Sequence, residues 1–150
     1  TIFTGPKITV PYRSKINSFA YNESEWFCRS DSYVVTLKDF GIELKYILAL
    51  LNSKLYYIWL YHKGKRKGET LELFQVPLSE IPIKRISEGE QKPFITIVDQ
   101  ILTFTKDEDY LSNSTKQAKV KEYEYQIDQM VYELYGLTPE EIDVVESSAK

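Results

Sequence analysis

Lys63, Lys65, Arg66 and Lys67 fall within six residues, spaced by Gly64 and Gly68. Four like charges so close repel one another unless an anion neutralises them. Nucleic-acid phosphates do so and release their counterions. Glycines would let the backbone approach such a ligand and would leave a loop mobile. The bland alternative is a solvated loop that only keeps the surface soluble. A second basic site pairs Arg13 with Lys15, flanked by Tyr12 and Asn17. Arg can read guanine in a bidentate way, Asn can read adenine, and Tyr can stack on a base. An ordinary polar hairpin loop is the competing reading. Arg29 is a weaker candidate, and a structural ion pair would explain it as well.

Other chemistries find less support. Asp31 followed by Glu43-Leu44-Lys45 imitates a nuclease metal site. That site needs its Glu and Lys on a strand, where alternate residues share a face. Here the pair opens a helical pattern, and on a helix two residues apart point ~200° apart. Glu90-Gln91-Lys92 reads as a loop segment with no clear Asp partner. The run Asp107-Glu108-Asp109 lacks the ligand spacing and glycine of a calcium loop and reads as a solvated connector. One His and one Cys exclude a zinc site built on Cys and His pairs, and His62 alone makes a Ser/His/Asp set unconvincing. Cys28 reads as buried packing, and its solitude rules out an intrachain disulfide.

Positioning falls to the flanking elements. Short β-branched and aromatic runs at residues 8–10, 18–21, 26–28 and 33–37, broken by Pro, Asn, Asp and Ser, predict strands. From Gly41 the pattern turns helical, with one helix over 42–51, Asn52-Ser53 ending it, and a second over 54–61. A strand is expected over 70–76 and a short edge-like segment over 81–83, where Pro82 cannot donate to a ladder. Pro93 suits a first helical position, ahead of an apolar stripe at Phe94, Ile97, Val98, Ile101 and Leu102. Val120, Tyr123, Ile127, Met130 and Leu134 step at heptad spacing, so the helix over 116–135 should pack along its length, most simply against 94–105 in an antiparallel hairpin. Gly136 reads as its left-handed cap, and Thr138, Pro139 and Glu141 start another helix.

The expected fold is therefore α+β: a strand-rich lobe with a central helical pair over residues 1–86, then a C-terminal helical hairpin over 87–150 packing on it. Charge divides at the same place. Residues 1–86 carry 13 Lys+Arg against 8 Asp+Glu, whereas residues 87–150 carry 6 against 14. A net charge of −3 thus conceals a basic half, and a mildly acidic total does not exclude nucleic acid. No apolar run approaches the ~18 residues of a membrane span, and the opening residues lack the marks of a signal peptide, so a cytoplasmic setting is expected. The opening at Thr1 reads as a domain cut from a longer chain.

Several stretches, taken in order, resemble a known family. They are Val10-Pro11-Tyr12-Arg13 with Phe19-Ala20-Tyr21; the helical run from Tyr46 to Leu55 with its Leu51-Asn52-Ser53-Lys54-Leu55; Gly64-Lys65-Arg66-Lys67-Gly68; Leu78-Ser79-Glu80-Ile81-Pro82-Ile83; and Tyr135-Gly136-Leu137-Thr138-Pro139-Glu140-Glu141. The set, spread over nearly the whole chain, is similar to the TaqI-like C-terminal specificity domain, the target-recognition part of adenine-specific DNA methyltransferases, including fused type IIG restriction-modification enzymes. Similar segments occur in type I specificity subunits. The resemblance implies double-stranded DNA as partner and a preceding methyltransferase domain that binds S-adenosylmethionine. This chain, lacking the Asn-Pro-Pro-Tyr-type motif, would have no cofactor and no catalytic residue of its own. The recognition domain would help present an adenine flipped from the stack. In that setting Lys63, Lys65, Arg66 and Lys67 are candidates for phosphate, and Arg13, Lys15 and Asn17 for the groove. A different class of reading is a protein-interaction module built on the heptad helix. An autonomous enzyme has little support.

Overall fold

A computed structural model describes residues 4–27, 32–38 and 41–149. Cys28, Arg29 and Asp31, weighed above, lie outside the described residues. Among the described residues two small antiparallel sheets and six helices make an α+β fold. The first sheet joins β1 (Lys7–Pro11), β3 (Ala20–Asn22) and β4 (Ser32–Val35) in the order β3-β1-β4. The second joins β2 (Arg13–Ser14), β5 (Lys65–Lys67) and β6 (Thr70–Glu72) in the order β2-β6-β5. Chain that passes from β1 into β2 therefore changes sheets within two residues.

Between the strands run α1 (Leu44–Asn52) and α2 (Lys54–Lys63), broken where the apolar periodicity breaks. Ser53 ends the first and caps the second, its side chain accepting from the Tyr56 N–H. After β6 come α3 (Gln75–Ser79), α4 (Glu88–Thr105), a 3-10 turn at Tyr110–Ser112, α5 (Ser114–Tyr135) and α6 (Pro139–Ser148). Gly136 takes the left-handed cap at φ 64°, and Thr138 with Glu141 closes a capping box.

One core unites the halves. Ile8, Leu50, Leu60 and Leu71 from the first 86 residues join Phe94, Val98, Ile127 and Val131 from the rest. Of the heptad stripe, Val120 and Ile127 are buried and Tyr123, Met130 and Leu134 partly buried, and α5 packs on α4, α1 and α2.

Several expectations need correction. The segment 70–76 is a strand only to Glu72, because Gln75 begins the short helix that holds Pro77 buried. Residues 81–83 form no strand, and neither do Trp26 and Phe27. The 81–83 strip is tied by side chains instead, with the Tyr56 hydroxyl donating to the Pro82 carbonyl at 2.6 Å. The helix expected to start at Pro93 starts at Glu88, capped by Ser87 and Glu90 in a capping box, so Pro93 lies within it. Its missing N–H would have bonded the carbonyl of Gly89, one turn back. Glu90-Gln91-Lys92 is accordingly helical, and Gln91 is buried, its amide donating to the Gly41 and Ile86 carbonyls at 2.7 and 3.1 Å.

Candidate nucleic-acid interface

The basic run 63–68 is built rather than loose. Lys63 ends α2, where a cation suits the negative end of the helix dipole. Gly64 then donates to the Leu60 carbonyl at 3.0 Å, and a Cβ at position 64 would stand 2.5 Å from that same oxygen. Only glycine allows the chain to leave the helix so sharply. Lys65, Arg66 and Lys67 follow as a strand, all exposed, paired with β6 in the register Lys65 to Glu72, Arg66 to Leu71 and Lys67 to Thr70. Gly68 and Glu69 make the two-residue turn, Gly68 at φ 63° and no non-glycine at positive φ among the described residues, as a type II′ hairpin requires. The expected mobile loop is therefore a β-hairpin, and both glycines serve its turns.

Strand β2 closes on the other side of β6, Arg13 opposite Glu72 and Ser14 opposite Leu71, with the Leu73 N–H on the Tyr12 carbonyl at 3.0 Å. This brings together two basic sites that lie some fifty residues apart in sequence. Alternation then sorts them. Leu71 and Leu73 are each 1 % exposed and point into the core. Arg13, Glu72 and Lys65 share the outward row, and Thr70 and Lys67 occupy the same face one step along. Arg66 falls on the other face, at its rim, with its guanidinium 3.9 Å from the centre of the Tyr61 ring.

Two neighbours on this surface, Phe74 and Glu72, are absent from the sequence reading, whereas Tyr12 was expected there. Tyr12 and Phe74 touch ring to ring, 4.6 Å between centroids. Arg13 lies 5.2 Å from the Tyr12 ring and Lys65 5.8 Å from Phe74. Glu72 accepts from both Nε and Nη2 of Arg13, at 3.2 and 3.0 Å, and its side chain is only 14 % exposed. The apolar beat of Leu71 and Leu73 already implied that Thr70, Glu72 and Phe74 face outward, so this signal was present.

Asn17 belongs elsewhere, and its groove-side role is withdrawn. It is buried, and its amide donates to the Leu51 and Ser53 carbonyls at 2.7 and 2.8 Å. No hydrogen of that amide remains for a base. Asn52 clamps the same link, accepting from the Phe19 N–H at 2.8 Å and donating to the Phe19 carbonyl at 2.9 Å. Lys15, by contrast, is exposed just past the end of β2. A cavity of about 690 Å³ opens over this junction, lined by Asn17, Phe19, Asn52 and Asp128 among others, and none of the basic sheet residues reaches it.

The remaining charge clusters are accounted for internally. Lys116 pairs with Asp107 and Asp109, and Lys45 pairs with Asp99 at 2.6 Å, on a helix rather than a strand. No group of three metal-ligating side chains occurs among the described residues. Among the described residues no helix is long and apolar enough to cross a membrane. Lys65, Arg66 and Lys67 enter no ion pair among the described residues, whereas Arg13 is held by Glu72.

Comparison with known proteins fits this geometry. The chain is 32% identical over 113 residues to the type II methyltransferase M.HincII of Haemophilus influenzae, and equally to the type II methyltransferase M.HindII of Haemophilus influenzae strain Rd. The match covers 71% of this chain but only 22% and 21% of those relatives, so the chain spans about a fifth of their length. A family description matches residues 1–83, which includes both sheets and the α1–α2 pair and stops before α4. The resemblance read across nearly the whole sequence is thus matched over its first part, and on that match the chain belongs to the TaqI-like C-terminal specificity domain family.

Proposed function

We propose that this chain is the double-stranded DNA recognition portion of an adenine-specific methyltransferase from a bacterial-type restriction-modification system. The observation that carries the reading is the register of β2-β6-β5, which gathers Arg13, Lys65 and Lys67 on one exposed face. A two-stranded ribbon of the β5–β6 kind fits the ~12 Å major groove. Lys65 and Lys67 would contact phosphates and fix register, with Lys15 and Lys63 at the margins. Arg13 would face the bases. In this reading residues 1–86 are the recognition lobe and residues 87–150 the helical element packed on it. The family match ending at residue 83 supports that division. The acidic surplus of 87–150 turns that side away from DNA.

Methyl transfer, and S-adenosylmethionine with it, belong in this reading to a catalytic domain N-terminal to these residues, which would form the other jaw of a DNA clamp in the cytoplasm. A fused endonuclease is not required by it. The test is duplex binding by the chain across a salt series. Lys65→Ala with Lys67→Ala should weaken binding and flatten the log–log salt slope by about 1.8, at ~0.9 for each phosphate no longer neutralised. An unchanged slope would remove the hairpin from the interface.

A further inference from the structure

Glu72 is an anomaly on a face that would meet phosphate. It stands on the central strand between Arg13 and Lys65, and its charge repels the very polyanion its neighbours attract. Both bonds from Arg13 end on Oε1, and Oε2 has no hydrogen-bond donor among the described residues. A carboxylate so placed cannot accept from a phosphate, which has no hydrogen to give. It can accept from an exocyclic amino group of a base.

We propose that Arg13 and Glu72 act as one unit that reads a G·C pair from the major groove, Arg13 donating to the guanine edge and Glu72 accepting from cytosine N4. This rests on the reading of the sheet as the DNA-facing surface and adds which residues choose sequence. The chemistry is complementary. A G·C pair shows two acceptors, N7 and O6, and then one donor, N4. An Arg beside a Glu shows donors and then an acceptor. The ion pair fixes their relative position before DNA arrives, through two bonds of 3.2 and 3.0 Å across the β2–β6 register. It also keeps Arg13 off the phosphates, leaving those to Lys65 and Lys67. The Tyr12 and Phe74 rings beside the two cations limit where they can swing.

The experiment is selection of bound duplexes from a randomised pool, together with the salt slope, for the chain and for Glu72→Gln, Glu72→Asp and the Lys65→Ala/Lys67→Ala variant. Wild type should select a G·C pair at a fixed position. Glu72→Gln keeps the Oε1 acceptor and loses the charge. It should flatten that preference, bind random duplex several-fold more tightly, and steepen the slope by about 0.9 as Arg13 takes a phosphate. Glu72→Asp, with the charge on a shorter stem, should lose the preference without the steepening. Should the lysine variant flatten the slope while both Glu72 variants keep the wild-type preference and slope, the pair is a strand clamp and this inference fails alone. Should the lysine variant change nothing, the underlying reading fails and takes the inference with it. Thermal melts of each variant exclude loss of the fold as the cause.

Discussion

The Asp128 carboxylate accepts a hydrogen bond from the backbone N–H of Lys54 at 2.8 Å, so α5 caps the start of α2 across 74 residues of sequence. Asp128 is 5 % exposed. Burial, followed by the Glu146 and Glu124 charges, pushes its carboxyl up to about 6, against the Lys54 N–H and the Lys54 ammonium, which favour the charged form. Glu146 takes most of that ammonium for itself and also accepts from the Tyr132 hydroxyl at 2.8 Å.

A pH signature follows, with its sign set by the upward shift. Between about pH 4 and 6 the folded chain holds a proton on Asp128 that the unfolded chain has lost, so ionised Asp128 costs stability as pH rises through that window. The cost at pH 7 is on the order of 3 kcal/mol, at about 1.36 kcal/mol per pKa unit. Asp128→Asn keeps an acceptor for the Lys54 N–H without the charge. Urea midpoints should show wild type losing ground to the variant from pH 4.5 to pH 7. A constant difference between the two would mean that Asp128 titrates normally. Glu146 acts in the opposite sense: burial raises it, but the bonds from Lys54 and Tyr132 outweigh this and hold it below its usual range. The stability it lends is present above the ordinary carboxylate range and is lost as pH falls through its lowered value, beneath the Asp128 window.

Asn17→Ala separates folding from binding. It removes the Asn17 donor from the Leu51 carbonyl and leaves the Ser53 carbonyl only the Tyr57 N–H, in a buried place, a loss of about 1–3 kcal/mol. The salt slope of duplex binding, measured where the variant is still folded, should match wild type. A stable variant with impaired base preference would return Asn17 to the groove.

Ile127 sits in the shared core at 6 % exposure, so Ile127→Asp should cost roughly 3–5 kcal/mol from lost packing and an unpaired buried charge. Leu111, 87 % exposed at the turn before α5, is the control, and Leu111→Asp should stay within about 0.5 kcal/mol of wild type. Chemical denaturation of the two variants checks the contrast. Equal stabilities would contradict a core that includes α5.

What could be read directly was local. Ser53, Gly136 and the Thr138–Glu141 box announce helix ends because each acts within four residues of itself. The Ser87–Glu90 box is as local, but Pro93 drew the helix start five residues late, since proline at a first helical position is the commoner arrangement. The hairpin was not legible for a different reason. Lys65-Arg66-Lys67 has no strand propensity of its own, and its form comes from pairing with β6, which itself pairs with β2 from 59 residues upstream. Asn17 misled because an exposed and a buried asparagine look alike in sequence. Only the folded chain shows that the α1–α2 break brings the Leu51 and Ser53 carbonyls to it.

The central claim is that β2, β5 and β6 meet DNA. Its most direct measurement is a backbone amide NMR titration of the chain with a short duplex at low salt. Shifts should concentrate at residues 12–15 and 63–72 and fade as salt is added, with α4, α5 and α6 quiet. Shifts gathered on those three helices, or none at the basic hairpin at saturating duplex, would contradict it.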